Sequence, residues 1–172
     1  DAVYHLSLGK SAFNKIDLVK IRFEQLRYKP GQNSIASNDV YTILPLSDEI
    51  WFGTDDGISI LNKNSDLFIP VSFSSEKYSL NGKSVYSILE DSQNNIWIGT
   101  AGYGLSKINK EQRGKELLTL KNFTSQSLPP EKLNDNEVLC LFEDQRENIW
   151  VGTTGGISIL KNAVRLEWLF EK

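Results

Sequence analysis

The sequence predicts an all-β chain: β-propeller blades of four antiparallel strands, about three and a half of them, forming an incomplete ring. Three observations predict this. One phrase occurs three times, as Ile50-Trp51-Phe52-Gly53-Thr54, Ile96-Trp97-Ile98-Gly99-Thr100 and Ile149-Trp150-Val151-Gly152-Thr153. Each copy is followed by a glycine-bearing turn and a short apolar strand, at Gly57–Leu61, Gly104–Ile108 and Gly156–Leu160. Trp51, Trp97 and Trp150 recur at intervals of 46 and then 53 residues. Periods of about 40–50 residues with several strands in each unit mark propeller blades.

In chain order, residues 1–30 fit half a blade, with Val3–Leu8 as a third strand and Ile21–Tyr28 as a fourth. The first whole blade covers 34–75, with strands near 40–45, 50–54, 58–62 and 67–73. The second covers 83–125 and is the clearest. Its β-branched run Val85–Leu89 leads into the polar stretch Glu90–Asn95, where Asn and Asp favour a hairpin turn. The strand Ile96–Thr100 follows, then a turn at Ala101–Gly104 whose glycines take positive φ at little cost. Leu105–Ile108 and Leu117–Phe123 complete it. The third blade covers 135–172, with strands near 138–142, 149–153, 157–161 and 164–170. In each blade the second strand is apolar on both faces, tryptophan on one and Ile, Phe or Val on the other. Such a strand is buried between stacked sheets. The glycine two positions after each tryptophan leaves room for the indole or for a neighbouring blade.

Closed propellers have about 4–8 blades, so this arc does not close a ring by itself. The unmatched half blade favours remaining blades in a longer parent protein over partner chains as the completing element. A start at Asp1 and the absence of methionine read the same way, as a processed or excised piece. Nineteen basic residues stand against 22 acidic ones, net −3, with no Lys/Arg cluster to neutralise phosphates, which argues against a nucleic-acid partner. No apolar run approaches the ~20 residues of a membrane span. A single cysteine permits no internal disulfide.

The run Ile88-Leu89-Glu90-Asp91, then Asn95-Ile96-Trp97-Ile98-Gly99-Thr100 and Gly104-Leu105, resembles the repeat of the two-component regulator propeller family. Leu141-Phe142-Glu143-Asp144, then Asn148-Ile149-Trp150-Val151-Gly152-Thr153 and Gly156-Ile157, resembles it equally. The copy at Trp51 departs from it, because Leu46-Ser47-Asp48-Glu49 replaces the Glu-Asp-x-x-x-Asn turn. The resemblance implies the periplasmic sensor of a hybrid two-component histidine kinase anchored in the inner membrane. In that family two seven-bladed propellers typically precede an immunoglobulin-like module, a membrane span and the kinase. It further implies an oligosaccharide ligand, a sensor homodimer, and kinase chemistry lying outside these residues.

Residues that recur in every blade are best explained by the blade. Trp51, Trp97 and Trp150 read as core, not as sugar platforms. Glu90, Asp91, Glu143 and Asp144 read as turn residues, not as a catalytic carboxylate pair. Cys140, matched by Thr42 and Ser87 in the other first strands, reads as a buried structural thiol near a crowded axis. His5 is the single histidine, so no metal site, cofactor or catalytic site is expected. Candidates for ligand binding are residues that break the repeat in the loops of one rim. Tyr103 is an inserted aromatic that can pack on a sugar face, and Asp55 and Asp56 can accept hydroxyl hydrogen bonds. The connections into each blade add Gln32, Asn33, Tyr78 and Lys83 as candidate contacts. Ligand sensing is the leading function; the alternative is a protein-interaction scaffold without a small-molecule ligand.

Overall fold

A computed structural model describes residues 24–70, 72–74, 80, 83–115 and 117–161. In chain order its strands are β1 (Val40–Pro45), β2 (Glu49–Thr54), β3 (Gly57–Asn62), β4 (Leu67–Ile69), β5 (Ser72–Ser74), β6 (Val85–Glu90), β7 (Ile96–Thr100), β8 (Gly104–Ile108), β9 (Leu117–Thr119), β10 (Lys121–Phe123), β11 (Val138–Glu143), β12 (Ile149–Thr153) and β13 (Gly156–Leu160). A single 3-10 turn, Lys110–Gln112, interrupts the β structure. The first blade runs β1-β2-β3-β4 and the second β6-β7-β8-β10, antiparallel throughout. The third shows β11-β12-β13. Its expected fourth strand (164–170), and Val3–Leu8 of the half blade, lie outside the described residues. Residues 21–23 of the expected strand Ile21–Tyr28 lie outside them too; its described part, residues 24–28, carries no strand.

The fourth strands differ from expectation. In blades one and two each is broken in two instead of running through. Pro70, which cannot donate to a ladder, separates β4 from β5, and buried Leu120 separates β9 from β10. The inner pieces, β4 and β10, complete their own blades. The outer pieces, β5 and β9, pair with each other in parallel, with Phe73 opposite Leu118. The outer edges of blades one and two are therefore stitched together.

Side-chain alternation on the central strands decides how the blades stack. At the first junction Leu44, Trp51, Ile58 and Ile60 of blade one meet Val85, Ile88, Ile96, Ile98 and Ile108 of blade two. At the second, Leu89, Trp97 and Leu105 of blade two meet Val138, Leu141, Ile149, Val151 and Leu160 of blade three. Strand β7 lies between the two junctions and is buried along its whole length. The repeated glycine serves this stacking. A Cβ on Gly53 would sit 2.7 Å from the Val85 carbonyl oxygen, and one on Gly99 only 2.5 Å from Val138 Cγ1. The room is not for the indole: it is for the neighbouring blade and for the first-strand side chain opposite, with Thr42 Cγ2 2.5 Å from a Cβ on Gly53, Ser87 Oγ closer still to one on Gly99 and Cys140 Sγ 2.5 Å from one on Gly152.

A buried indole needs a partner for its N–H. In blade two Asp91 supplies it, with Oδ2 accepting from Trp97 Nε1 at 2.8 Å. Asp91 also accepts from the backbone N–H groups of Gln93 (3.0 Å) and Asn95 (2.8 Å) and from the Asn95 amide (2.9 Å). Blade three repeats the arrangement, with Asp144 on Trp150 Nε1 at 2.8 Å, Arg146 N at 2.8 Å and Asn148 N at 3.0 Å. The Asn148 amide first, and then the Trp150 indole, hold the Asp144 carboxyl well below the usual carboxylate range. Blade one has a shorter hairpin, and there Glu49 takes the Trp51 indole at 2.8 Å. Glu90 pairs with Arg113 across its own blade. Glu143 reaches back to blade two, accepting from Ser92 N (2.8 Å) and Ser92 Oγ (2.7 Å).

The outward face of blade three has no blade against it among the described residues. Trp150 is accordingly 37% exposed, where Trp51 and Trp97 are each 2% exposed. Phe142, Ile157 and Ile159 share that face and are exposed too. Cys140 lies there as well, opposite Gly152, and is exposed instead of buried. Its position matches Ser87 in the sheet; what differs is the missing neighbour.

Equivalent truncations at the two kinds of face should therefore differ. Ile98→Ala empties a fully buried position and should cost about 2–5 kcal/mol. Ile159→Ala, on the open face, should cost less than about 1 kcal/mol. Urea unfolding midpoints at neutral pH measure both; equal losses would contradict the stacking described.

Candidate functional site

The inner strand of each blade carries one residue more than its partner strand accommodates. The register shifts between Val40 and Thr42, between Val85 and Ser87, and between Val138 and Cys140. Tyr41, Tyr86 and Leu139 are the extra residues. A bulge of this kind re-aims the side chain it carries. Because Val40 pairs with Thr54 and Val85 with Thr100, the bulges sit level with the loops between second and third strands. In those loops the threonine hydroxyls close the turns on backbone: Thr54 Oγ1 donates to Gly57 O (3.0 Å), Thr100 Oγ1 to Gly104 O (2.8 Å) and Thr153 Oγ1 to Gly156 O (2.8 Å). They are structural, as their recurrence suggests.

At the mouth between blades one and two these elements converge. The Tyr41 and Tyr86 rings meet edge to face with centroids 5.0 Å apart. Asp55, in the first loop, accepts at Oδ1 from Ser84 Oγ (2.6 Å) and from the Tyr41 hydroxyl (3.2 Å). Its backbone N–H donates to Asp39 O at 3.0 Å, which fixes the loop against the strand entry. Partial desolvation, then the hydrogen bond and charge of Asp55, push the Tyr41 phenol above its ordinary pKa. Next to Ser84, Lys83 donates from Nζ to the Tyr103 hydroxyl at 2.7 Å, with the ammonium 4.0 Å from the ring centroid. This is cation–π geometry, reinforced by a hydrogen bond.

Asp55, Lys83 and Tyr103 thus lie along one stretch of rim, joined through Ser84 and Tyr41. Asp56 stands apart: it is exposed, and its N–H donates to Thr54 Oγ1 at 3.1 Å within the turn. Tyr78 lies outside the described residues. Asn33 is committed to structure, its amide donating to Phe68 O and accepting from Phe68 N, both at 2.7 Å. Gln32 is exposed in a neighbouring turn. Among the described residues no group of three or more His, Cys, Asp and Glu side chains is placed to hold a metal ion.

Tyr41, Tyr86 and Ser84 escape a reading of sequence alternation, because a bulge changes the phase of a strand without any residue that announces it. The signal that finds them is alignment on the valines, since Tyr41, Tyr86 and Leu139 each follow the valine that opens an inner strand. The same alignment shows Ile35, Leu80 and Leu133 five positions ahead of those valines, all buried as anchors of the connection entering each blade.

Fold and repeat together define the class. The family model for the two-component regulator propeller matches residues 79–102 and 132–155, and the chain carries two copies of that repeat. Histidine kinase P4 of Formosa agariphila is 31% identical over 129 residues, covering 72% of this chain and 9% of the relative. The extracellular domain of a hybrid two-component system from B. thetaiotaomicron superposes with a TM-score of 0.57 at 26% identity, covering 74% of this chain and 15% of that one. PorZ, a surface component of the type-IX secretion system of Porphyromonas gingivalis, shares the fold with a TM-score of 0.62 at 20% identity, over 79% of this chain and 19% of its own. The chain therefore spans under a tenth of the curated relative it matches. Among the described residues no helix is long and apolar enough to cross a membrane.

The contact between Asp55 and Tyr41 makes a measurable prediction. Asp55→Asn removes the negative charge that disfavours tyrosinate, so the Tyr41 pKa should fall toward its ordinary value. Absorbance titration of tyrosinate, with Tyr41→Phe identifying the group, reads the shift; an unchanged titration would mean that the two side chains do not meet.

Proposed function

We propose that this chain is a propeller segment of the extracytoplasmic sensor region of a hybrid two-component histidine kinase, and that it reads an oligosaccharide at the rim between blades one and two. The sensor assignment is supported by the repeat match, by the relative named a histidine kinase and by the likeness to an extracellular domain of a hybrid two-component system. The cluster of Asp55, Ser84, Lys83, Tyr103 and Tyr41 is the observation that carries the ligand reading. It sets aromatic surface beside a carboxylate acceptor and an ammonium donor on loops held by stacked blades. That combination suits a pyranose, which offers an apolar C–H face and a ring of hydroxyl groups. Phosphotransfer chemistry belongs to parts of the parent protein beyond these residues. Binding passes a signal on only if the ligand has different affinity for two arrangements of the sensor.

Thermal unfolding against a panel of defined oligosaccharides tests this. A ligand that binds the folded state alone raises the melting temperature with concentration, equivalent to about 2.7 kcal/mol at 100 times its Kd. One glycan class should give a dose-dependent rise, and Tyr103→Ala should reduce that rise without lowering the ligand-free melting temperature. No rise across the panel with folded protein would overturn the reading in favour of a scaffold that recognises another protein.

A further inference from the structure

We infer that the ligand read at this rim is acidic, a sugar bearing a uronate carboxylate or a sulfate, and that Lys83 selects for that group; this rests on the oligosaccharide reading above. Three basic groups on the blades have their charge or their donors satisfied, and Lys107 lies over the Trp97 ring. Arg113 pairs with Glu90, Lys121 pairs with Glu131, and Lys63 donates to the carbonyl groups of Leu46 and Ser47. Lys83 is different. Among the described residues no carboxylate pairs with it, and its contacts are the neutral hydroxyl and ring of Tyr103.

The carboxylate closest in the chain of contacts, Asp55, is turned to other work. Its Oδ1 is shared by the Ser84 and Tyr41 hydroxyls, and Ser84 is the residue next to Lys83. An ammonium has three donors, of which the Tyr103 hydroxyl takes one. Two remain for a ligand. An anion there would make charge-assisted hydrogen bonds, which are roughly twice as strong as neutral ones. The Tyr103 ring beneath the ammonium restricts the long lysine side chain before the ligand arrives, so less freedom is lost on binding.

The surrounding groups complete a sugar subsite. Tyr41 and Tyr103 remain 48% and 40% exposed, leaving aromatic surface open on either side of the Ser84–Lys83 step. Asp55 Oδ2 has no donor among the described residues and is available to a sugar hydroxyl. The acidic substituent is assigned to Lys83, the ring to the tyrosines and a hydroxyl to Asp55.

Calorimetric titration of the whole chain with three probes tests this: a uronate-containing oligosaccharide series, the same series with its carboxyl groups reduced to alcohols, and a sulfated neutral series. At least one acidic series should bind tenfold or more tightly than the carboxyl-reduced one, and the responding series distinguishes carboxylate from sulfate. The preference should shrink with added sodium chloride. Lys83→Gln should cost the acidic series at least about tenfold more affinity than it costs the carboxyl-reduced series, and Lys83→Arg should retain the preference. Equal affinity for acidic and reduced series, or a preference that survives Lys83→Gln, overturns this inference and leaves the oligosaccharide reading standing. Binding of none of the series overturns this inference, and the oligosaccharide reading falls with it only if no glycan of the wider panel raises the melting temperature either.

Discussion

An indole pressed between two sheets and tied by its N–H to a carboxylate organises this arc. Trp97 is the clearest case. One face of β7 offers it to blade three while the other offers Ile96 and Ile98 to blade one. A tryptophan can be buried this deeply only if its polar edge is satisfied, and Asp91 satisfies it. The same carboxylate accepts from two backbone N–H groups and an asparagine amide, so one side chain shapes the hairpin and closes the core. Where the hairpin is shorter, Glu49 reaches the equivalent indole from the strand itself. The constraint is the satisfied N–H, and the chain meets it by two routes.

The mouth between blades one and two is built on what that constraint leaves free. Stacked central strands hold the loops of neighbouring blades in fixed relation, so Asp55 of one blade can meet Ser84 of the next. The inner-strand bulges occur at the same place in all three blades, but the residues they present differ: tyrosine, tyrosine and leucine. Recurring positions build the blade. Positions that vary on the same framework, Tyr103 and the Lys83–Ser84 step among them, line the mouth.

Much of this was legible in the sequence because each blade repeats one short-range pattern. The phrase around each tryptophan located the second strand, and the glycine-bearing turn after it located the third. What escaped depends on partners remote in the chain. The parallel pairing of β5 with β9 joins residues some 45 positions apart in different blades, and no local propensity encodes it. Cys140 reads as buried because small residues, Thr42 and Ser87, hold the matching positions near a crowded axis; its exposure goes with the face of blade three, against which no blade lies among the described residues. At the mouth, Asp55, Lys83 and Tyr103 stand out by breaking the repeat. Tyr41 and Tyr86 sit inside strands whose alternation conceals the bulge.

Stacking of blades, beyond the hydrogen bond each indole makes, is what shields the tryptophans. Trp97 and Trp150 make the same bond to an aspartate at the same 2.8 Å, yet one is closed over by a neighbouring blade and the other is open. Hydrogen exchange at the indole N–H groups, resolved by NMR, separates the two effects. Trp97 and Trp51 should exchange only through large unfolding events, while Trp150 should exchange far faster. Equal protection at Trp97 and Trp150 would contradict this and assign the protection to the hydrogen bond alone.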